Sequence, residues 1–173
     1  MSHKTRTVFE GRVIGLNIES LTLPNGEPQE LEIVRHPGGA AVVALDEDQN
    51  VCLLRQFRHA AGGWLWELPA GKLEKEEKPQ ATAARELAEE AGLQAGHWHQ
   101  LGTVLMTPGF CDEKIHLYLA RELTPVASHP ERDEVIEIHW LPFSWAIEQV
   151  HDGTIHDAKT MLGLLLAENC IRS

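Results

Sequence analysis

Gly71-Lys72-Leu73-Glu74-Lys75-Glu76-Glu77-Lys78-Pro79-Gln80-Ala81-Thr82-Ala83-Ala84-Arg85-Glu86-Leu87-Ala88-Glu89-Glu90-Ala91-Gly92-Leu93 is the stretch on which the reading of this chain turns. Its second half reads as a helix. Pro79 suits a first-turn position, Gln80 to Ala91 is rich in Ala, Leu and Glu, and Gly92 can close the helix in a left-handed cap. At about 100° per residue, Ala84, Leu87, Ala88 and Ala91 fall on one side, while Glu86, Glu89 and Glu90 crowd into an arc of roughly 100° on the other. The apolar side is expected to pack, leaving the acidic side to face something else. A solvated face is the plain alternative, since charge runs are usually surface. Against it stands the like-charged i,i+4 pair Glu86 and Glu90, which costs a few tenths of a kcal/mol, with no base one turn away at Thr82 or Gln94. Arg85 can reach Glu89 but is expected to leave that pair unneutralised. Clustered carboxylates on a rigid helix suit a hard cation such as Mg²⁺, which takes one or two of them and keeps waters for a phosphate ligand.

As a pattern the segment is Gly, five residues, Glu, seven residues, Arg-Glu-Leu, one residue, Glu-Glu, one residue, Gly-Leu. This resembles the Nudix box of the Nudix hydrolases, matched without gap or substitution at Gly71, Glu77, Arg85, Glu86, Leu87, Glu89, Glu90, Gly92 and Leu93. The resemblance implies a loop-helix-loop that holds divalent metal against a diphosphate linked to another group. It implies Mg²⁺, with Mn²⁺ as an alternative, held by Glu86, Glu89, Glu90 and the backbone carbonyl of Ala70. Arg85 and Glu77 are then expected to brace the carboxylates rather than touch substrate.

Further stretches are similar to the ADP-ribose pyrophosphatase branch of that family. Gln56-Phe57-Arg58 resembles a triplet before the box whose Arg meets substrate phosphate, a task that suits the planar guanidinium fork. Arg55 brackets the same triplet from the other side. Glu67-Leu68-Pro69-Ala70-Gly71 resembles the branch again, and Pro108, fifteen residues beyond Leu93, stands where a Pro marks ADP-ribose-hydrolysing members. Arg58, Arg55, Glu67, Pro108 and Gly109 are therefore the expected substrate-binding residues. For the polar loop Ser128 to Glu134, the resemblance implies an acidic residue that binds metal or activates the attacking water. Glu134 matches best by its distance to the next strand, Glu131 and Asp133 are alternatives, and Arg132 stands where some relatives carry a general base. Glu89 completes the set of candidate catalytic carboxylates.

Composition is consistent with one enzyme domain of 173 residues, with 43% hydrophobic content normal for a soluble globular chain. Twenty-six acidic against fifteen basic residues give a net charge of −11, which argues against coating nucleic acid and would repel an anionic substrate unless a cation and local Arg residues reverse the field. Cys52, Cys111 and Cys170 are widely spaced with no CxxC, so neither a disulfide framework nor a zinc site is expected, and a reducing cytosol fits. No signal peptide and no span of about 20 apolar residues is read.

In chain order, Thr7 to Leu23 alternates in places, Pro24-Asn25-Gly26 signals a turn and Leu31 to Arg35 a returning strand. Residues 1–36 are expected to form a β arm that packs on the main domain or on a second subunit. The exchange of such an arm across a homodimer is what the resemblance implies. Residues 37–173 are expected to form the hydrolase domain. There Ala40 to Leu45 and Val51 to Phe57 suggest a hairpin, Gly62-Gly63-Trp64-Leu65-Trp66 a flexible loop, and Gln100 to Met106, Lys114 to Ala120 and Val135 to Leu141 strands. Pro142 to Val150 and Ala158 to Glu168 read as helices, the last with an apolar face of Leu162, Leu165 and Leu166. Asp157-Ala158-Lys159-Thr160 suggests no chemistry.

The expected fold is a Nudix-type α/β/α sandwich with a mixed central sheet. The function implied is hydrolysis of a nucleoside diphosphate sugar in the cytoplasm, ADP-ribose first, giving AMP and ribose 5-phosphate. GDP-mannose or another sugar nucleotide is the alternative within enzymes, and a non-catalytic ADP-ribose-binding module the alternative outside them.

Overall fold

The computed structural model describes residues 4–129 and 135–172. Contacts divide them into two compact units: residues up to Gly38 together with Leu105–Lys114, and Gly39–Val104 together with the chain from Ile115 onward.

The first unit is a three-stranded antiparallel sheet in the order β1 (Lys4–Glu10), β2 (Gly15–Thr22), β3 (Pro28–Arg35). The alternation read in places from Thr7 onward is interrupted between β1 and β2, where Gly11 donates its N–H to the Ile14 carbonyl at 2.8 Å. The β2–β3 turn is the one that Pro24-Asn25-Gly26 signals. Gly26 sits there at φ +90°, a backbone state that a side chain would strain, and its N–H reaches the Leu23 carbonyl at 2.9 Å. Every residue of β1 is exposed.

The second unit holds β4 (Gly39–Ala44), β5 (Asn50–Arg58), a 3₁₀ turn (His59–Ala61), β6 (Gly63–Glu67), β7 (Ala70–Lys72), α1 (Pro79–Ala91) and β8 (Leu93–Leu105). It continues through β9 (Lys114–Pro125), β10 (Ile136–Pro142), α2 (Phe143–His151) and α3 (Ala158–Arg172). One sheet has the order β7-β4-β9-β8, with β4 antiparallel to β7 and parallel to β9, so it is mixed. A smaller sheet runs β10-β5-β6 and is antiparallel.

The central strand β4 is buried along its whole length. A strand alternates its side chains, so its small residues can be covered from both sides. Ala40, Val42 and Ala44 join Ala83 and Leu87 of α1, with Tyr118 and Ala120 of β9, in one cluster. Val43 points the other way, where Gly163 of α3 comes so near that an added Cβ would lie 3.3 Å from Val43 Cγ2 and 2.7 Å from Leu68 Cδ1. Helices thus cover both faces of a mixed sheet, the layering expected from sequence. Among the described residues no helix is long and apolar enough to cross a membrane.

Three expectations are corrected here. The turn between β4 and β5 closes as a hairpin, through the antiparallel bridge Leu45–Val51 and Asp46 N–H to the Asn50 carbonyl at 3.0 Å, but the pairing stops there and the two strands continue in different sheets. The stretch with Trp64 and Trp66 is no flexible loop but the edge strand β6, registered with Phe57↔Trp64 and Arg55↔Trp66. On α3 the buried positions are Thr160, Gly163, Leu164 and Ala167, while Leu162 is exposed. The close approach to β4 is made at Gly163, which sets the buried face one position round from the stripe, with Leu164 inside and Leu165 and Leu166 half-buried.

Candidate active site

The helix α1 runs between the boundaries read from sequence, with Pro79 in its first turn and Gly92 at φ +65°, its N–H bonded to the carbonyls of Ala88 and Leu87. Its faces differ from the helical-wheel expectation. The buried residues are Thr82, Ala83, Glu86, Leu87 and Glu90, whereas Ala84, Ala88 and Ala91 are only half-buried. Two of the three clustered carboxylates therefore lie on the packed side, Glu86 8% and Glu90 2% exposed, and a solvated acidic face is excluded.

The cause is the short strand β7. Gly71 lies against Glu86 so closely that a Cβ on it would meet Glu86 Oε1 at 1.9 Å, which accounts for glycine there. The next backbone N–H, that of Ala70, donates to Glu90 Oε2 at 2.8 Å. Glu89, one position away, keeps its side chain 40% exposed.

Arg85 ties this group together. Its Nε and Nη2 donate to the two oxygens of Glu77 at 3.1 Å each, Nη1 donates to Glu86 at 2.7 Å and to Glu89 at 3.0 Å, and Nη2 also reaches the Lys72 carbonyl at 3.1 Å. The expectation that Arg85 leaves the Glu86/Glu90 pair unneutralised is thus corrected, because its long side chain reaches back to its own neighbour. The Arg85 guanidinium holds the Glu77 carboxyl down at about 2 against partial burial, with Thr82 Oγ1 at 2.7 Å and the Glu74 N–H assisting. Arg85 is raised in turn, first by Glu77.

The donors on offer are carboxylate and backbone oxygens, the chemistry of Mg²⁺ or Mn²⁺ and not of a soft metal. No three or more His, Cys, Asp or Glu among the described residues already converge on one point. The set fits Mg²⁺ in the manner that cation prefers, through one or two carboxylates with waters and substrate oxygens completing the shell.

A second polar group lies where β5, β6 and α3 meet. Glu67, 1% exposed, receives Arg58 Nε and Nη2 on its two oxygens at 2.8 and 2.9 Å, and Lys159 Nζ at 2.6 Å. Burial works to raise the Glu67 carboxyl, but Arg58 and then Lys159 outweigh it and hold it below the usual range. The fork of Arg58 is engaged with Glu67, which raises Arg58. Lys159 also bonds Asp157 at 3.0 Å, and Asp157 Oδ2 accepts the Thr160 N–H and hydroxyl at 3.1 and 2.6 Å. Asp157-Ala158-Lys159-Thr160 therefore carries a polar hub that sequence reading passed over. Part of it was legible: Asp three residues before Thr at a helix start is an N-cap signal. The pairing of the half-buried Lys159 with a carboxylate 92 residues away was not. The guanidinium of Arg55 lies 5.9 Å from the ring centroids of both Trp64 and Trp66.

Pro108 and Gly109 belong to the first unit, in the turn closed by Phe110 N–H and Cys111 N–H onto the Thr107 carbonyl. That turn is docked on β3: Val34 N–H donates to the Phe110 carbonyl at 2.7 Å and Asp112 N–H to the Val34 carbonyl at 3.2 Å. Arg35 bridges Asp112 and Glu19, and His36 N–H reaches Asp112 at 2.8 Å. Glu131, Arg132, Asp133 and Glu134 lie outside the described residues.

A family model described as NUDIX domain matches residues 35–163. An ADP-ribose pyrophosphatase of Bacillus subtilis (strain 168) is 39% identical over 155 residues, covering 88% of this chain and 84% of that protein. A methanol dehydrogenase activator of Bacillus methanolicus is 38% identical over 163 residues, covering 93% and 88%. The fold is shared with the crystal structure of an ADP compounds hydrolase, TM-score 0.84 at 20% identity over 99% of this chain and 95% of that one. A box carried without a gap on a helix whose acids turn inward, and a domain model that spans well over half of the sequence, point the same way: this chain belongs to the NUDIX family.

Proposed function

We propose that this protein is a Mg²⁺-dependent pyrophosphohydrolase that cleaves the diphosphate of a nucleoside diphosphate sugar, ADP-ribose before others, to AMP and ribose 5-phosphate. The observation that carries the reading is the burial of Glu86 and Glu90 against β7 with Arg85 joining Glu86, Glu89 and Glu77. Burying carboxylates is costly unless they are paired, and paired carboxylates gathered in this way are a frequent mark of a functional site. The ADP-ribose pyrophosphatase relative supports the choice of substrate.

Glu86, Glu89, Glu90 and the Ala70 carbonyl would hold Mg²⁺, or Mn²⁺ in its place. When bound, the cation offsets the charge of the diphosphate and lowers the pKa of water. The chain's own part is to fix those oxygens and to accept a proton. As water forms its bond to phosphorus and the bridging P–O bond breaks, the proton passes to a carboxylate. Glu134 is our first choice of acceptor, with Glu131 and Glu89 as alternatives. Positioning and charge stabilisation supply most of the rate, because a phosphoryl centre needs little covalent help. Arg55, Arg58, Pro108 and Gly109 are assigned to substrate, with Glu67 acting through the Arg58 fork it holds. We place the enzyme in the cytoplasm as a homodimer joined through residues 1–36, a reading supported by the exposed apolar side chains Val8, Phe9 and Ile14.

The test is a panel of ADP-ribose, GDP-mannose, UDP-glucose, NADH and diadenosine polyphosphates incubated with Mg²⁺ and followed for product. AMP from ADP-ribose at the highest kcat/KM is expected. A preference for GDP-mannose would keep the chemistry and replace the substrate; no turnover with any divalent metal would favour a binding module. Glu90→Gln keeps an acceptor for the Ala70 N–H, so it is expected to remain folded while losing at least about 10²-fold in kcat. Unchanged turnover would remove α1 from the mechanism.

A further inference from the structure

We infer that the first turn of α3 positions the metal-facing strap Glu67–Gly71, with Lys159 and Thr160 as positioning residues that never touch substrate. The inference rests on the function proposed above and assigns to Asp157, Lys159 and Thr160 a part in it.

Four consecutive residues of the strap are each tied by a polar group to a neighbouring element. The Glu67 carboxylate is held by Lys159 Nζ at 2.6 Å, beside its bidentate contact to Arg58. Leu68 N–H donates to Thr160 Oγ1 at 3.0 Å, a fully buried bond. The Pro69 carbonyl accepts the Val42 N–H of β4 at 2.9 Å. Ala70 N–H donates to Glu90 of α1 at 2.8 Å. The strap is thus suspended from α3 at one end and from α1 at the other, and Gly71, its last residue, fixes where Glu86 can lie.

The α3 end is itself locked. Asp157 caps the helix by accepting the Thr160 N–H and hydroxyl, and the same oxygen, Oδ2, holds Lys159 at 3.0 Å. Thr160 has no rotational freedom left, since its hydroxyl donates to Asp157 and accepts from Leu68.

Packing alone does not require this arrangement. A buried ion pair is often no better for stability than an apolar replacement of the same volume, while directed hydrogen bonds fix a register that apolar contacts leave loose. The strap carries the Ala70 carbonyl and the N–H that orients Glu90. An error in its register moves both, and displacements of about 1 Å in such a site can cost about 10²-fold in rate.

The experiment uses the full chain with Lys159→Met and Thr160→Val, and with Lys159→Arg and Thr160→Ser as the conservative partners. Mn²⁺ binding is measured by electron paramagnetic resonance without substrate, alongside kcat, KM and the Mg²⁺ concentration for half-maximal rate. For Lys159→Met and Thr160→Val the expected result is at least a tenfold weaker Mn²⁺ affinity and a matching rise in the Mg²⁺ requirement. A ten- to hundredfold loss in kcat and a KM within threefold of wild type are expected with it. Thr160→Ser, which keeps the hydroxyl, restores most of the affinity. Wild-type Mn²⁺ binding and Mg²⁺ dependence with only a lowered melting temperature would overturn the inference. If Lys159→Met does not fold, Thr160→Val decides by the same measures. Glu90→Gln in parallel separates the two claims: if it keeps full turnover the proposed function fails, whereas inactive Glu90→Gln beside fully active Thr160→Val defeats only the positioning role.

Discussion

Arg85 shows how one side chain converts a run of like charges into a built site. Its fork meets Glu77 on two nitrogens, and its remaining reach covers Glu86, Glu89 and the Lys72 carbonyl. The partner Glu77 is where pH acts. Its carboxyl is held at about 2, mainly by Arg85, against an ordinary 4.5, so the native state binds this proton less tightly than the unfolded chain. The stabilisation is then complete above pH 4.5 and lost as pH falls through about 2. Glu77→Gln is expected to be less stable than wild type at pH 7, with the difference shrinking between pH 4.5 and 2, as read from urea unfolding at stepped pH; a constant difference would contradict the pairing. The box residues were legible because their spacing on a helix is fixed. The Arg85–Glu86 contact was not, since helical-wheel reasoning separates adjacent residues by about 100° and says nothing of a side chain long enough to wrap. The half-buried Lys159 escaped for a related reason: its partner lies 92 residues away, and no local pattern marks it.

Among the elements, two glycines make contacts of opposite consequence. At Gly71 an alanine would collide with the end of the Glu86 side chain, which can swing aside. Gly71→Ala should therefore keep its fold and lose activity, at least tenfold in kcat, with little change in melting temperature. At Gly163 the new methyl would meet Leu68 and Val43 in a filled layer between α3 and β4. Gly163→Ala is expected to destabilise by about 1–3 kcal/mol by overpacking, even though alanine favours helix. Equal effects of the two on stability would show that the strap and the core layer respond alike. Element boundaries were readable wherever a breaker stood, as at Pro79, Gly92 and Pro24-Asn25-Gly26. Partnership was not. The turn after β4 has the composition of a hairpin bend, yet β4 pairs with β9 in parallel across some seventy residues, and only the rest of the chain supplies that strand. The glycines before Trp64 suggested looseness, but register with β5 made that stretch a strand.

At the scale of the whole molecule, the proposed homodimer gives a direct measurement. Light scattering is expected to return twice 19.3 kDa, and Phe9→Asp combined with Val8→Asp on β1 is expected to shift the mass toward the monomer; a monomeric wild type would remove the dimer from the proposal. The −11 charge was readable as a demand for cations, and the mixed fold followed from the box and the strand runs. The membership of Leu105–Lys114 in the first unit was not readable, because its ties to Val34, Arg35 and His36 join segments more than seventy residues apart. That membership bears on how the gene can be cut or recombined. The chain passes between the units three times, at 38/39, 104/105 and 114/115, so no single end-truncation or swapped cassette carries the first unit away whole. A library that replaces residues 1–38 leaves the turn with Pro108 to a foreign strand, and productive chimeras must exchange 105–114 along with them.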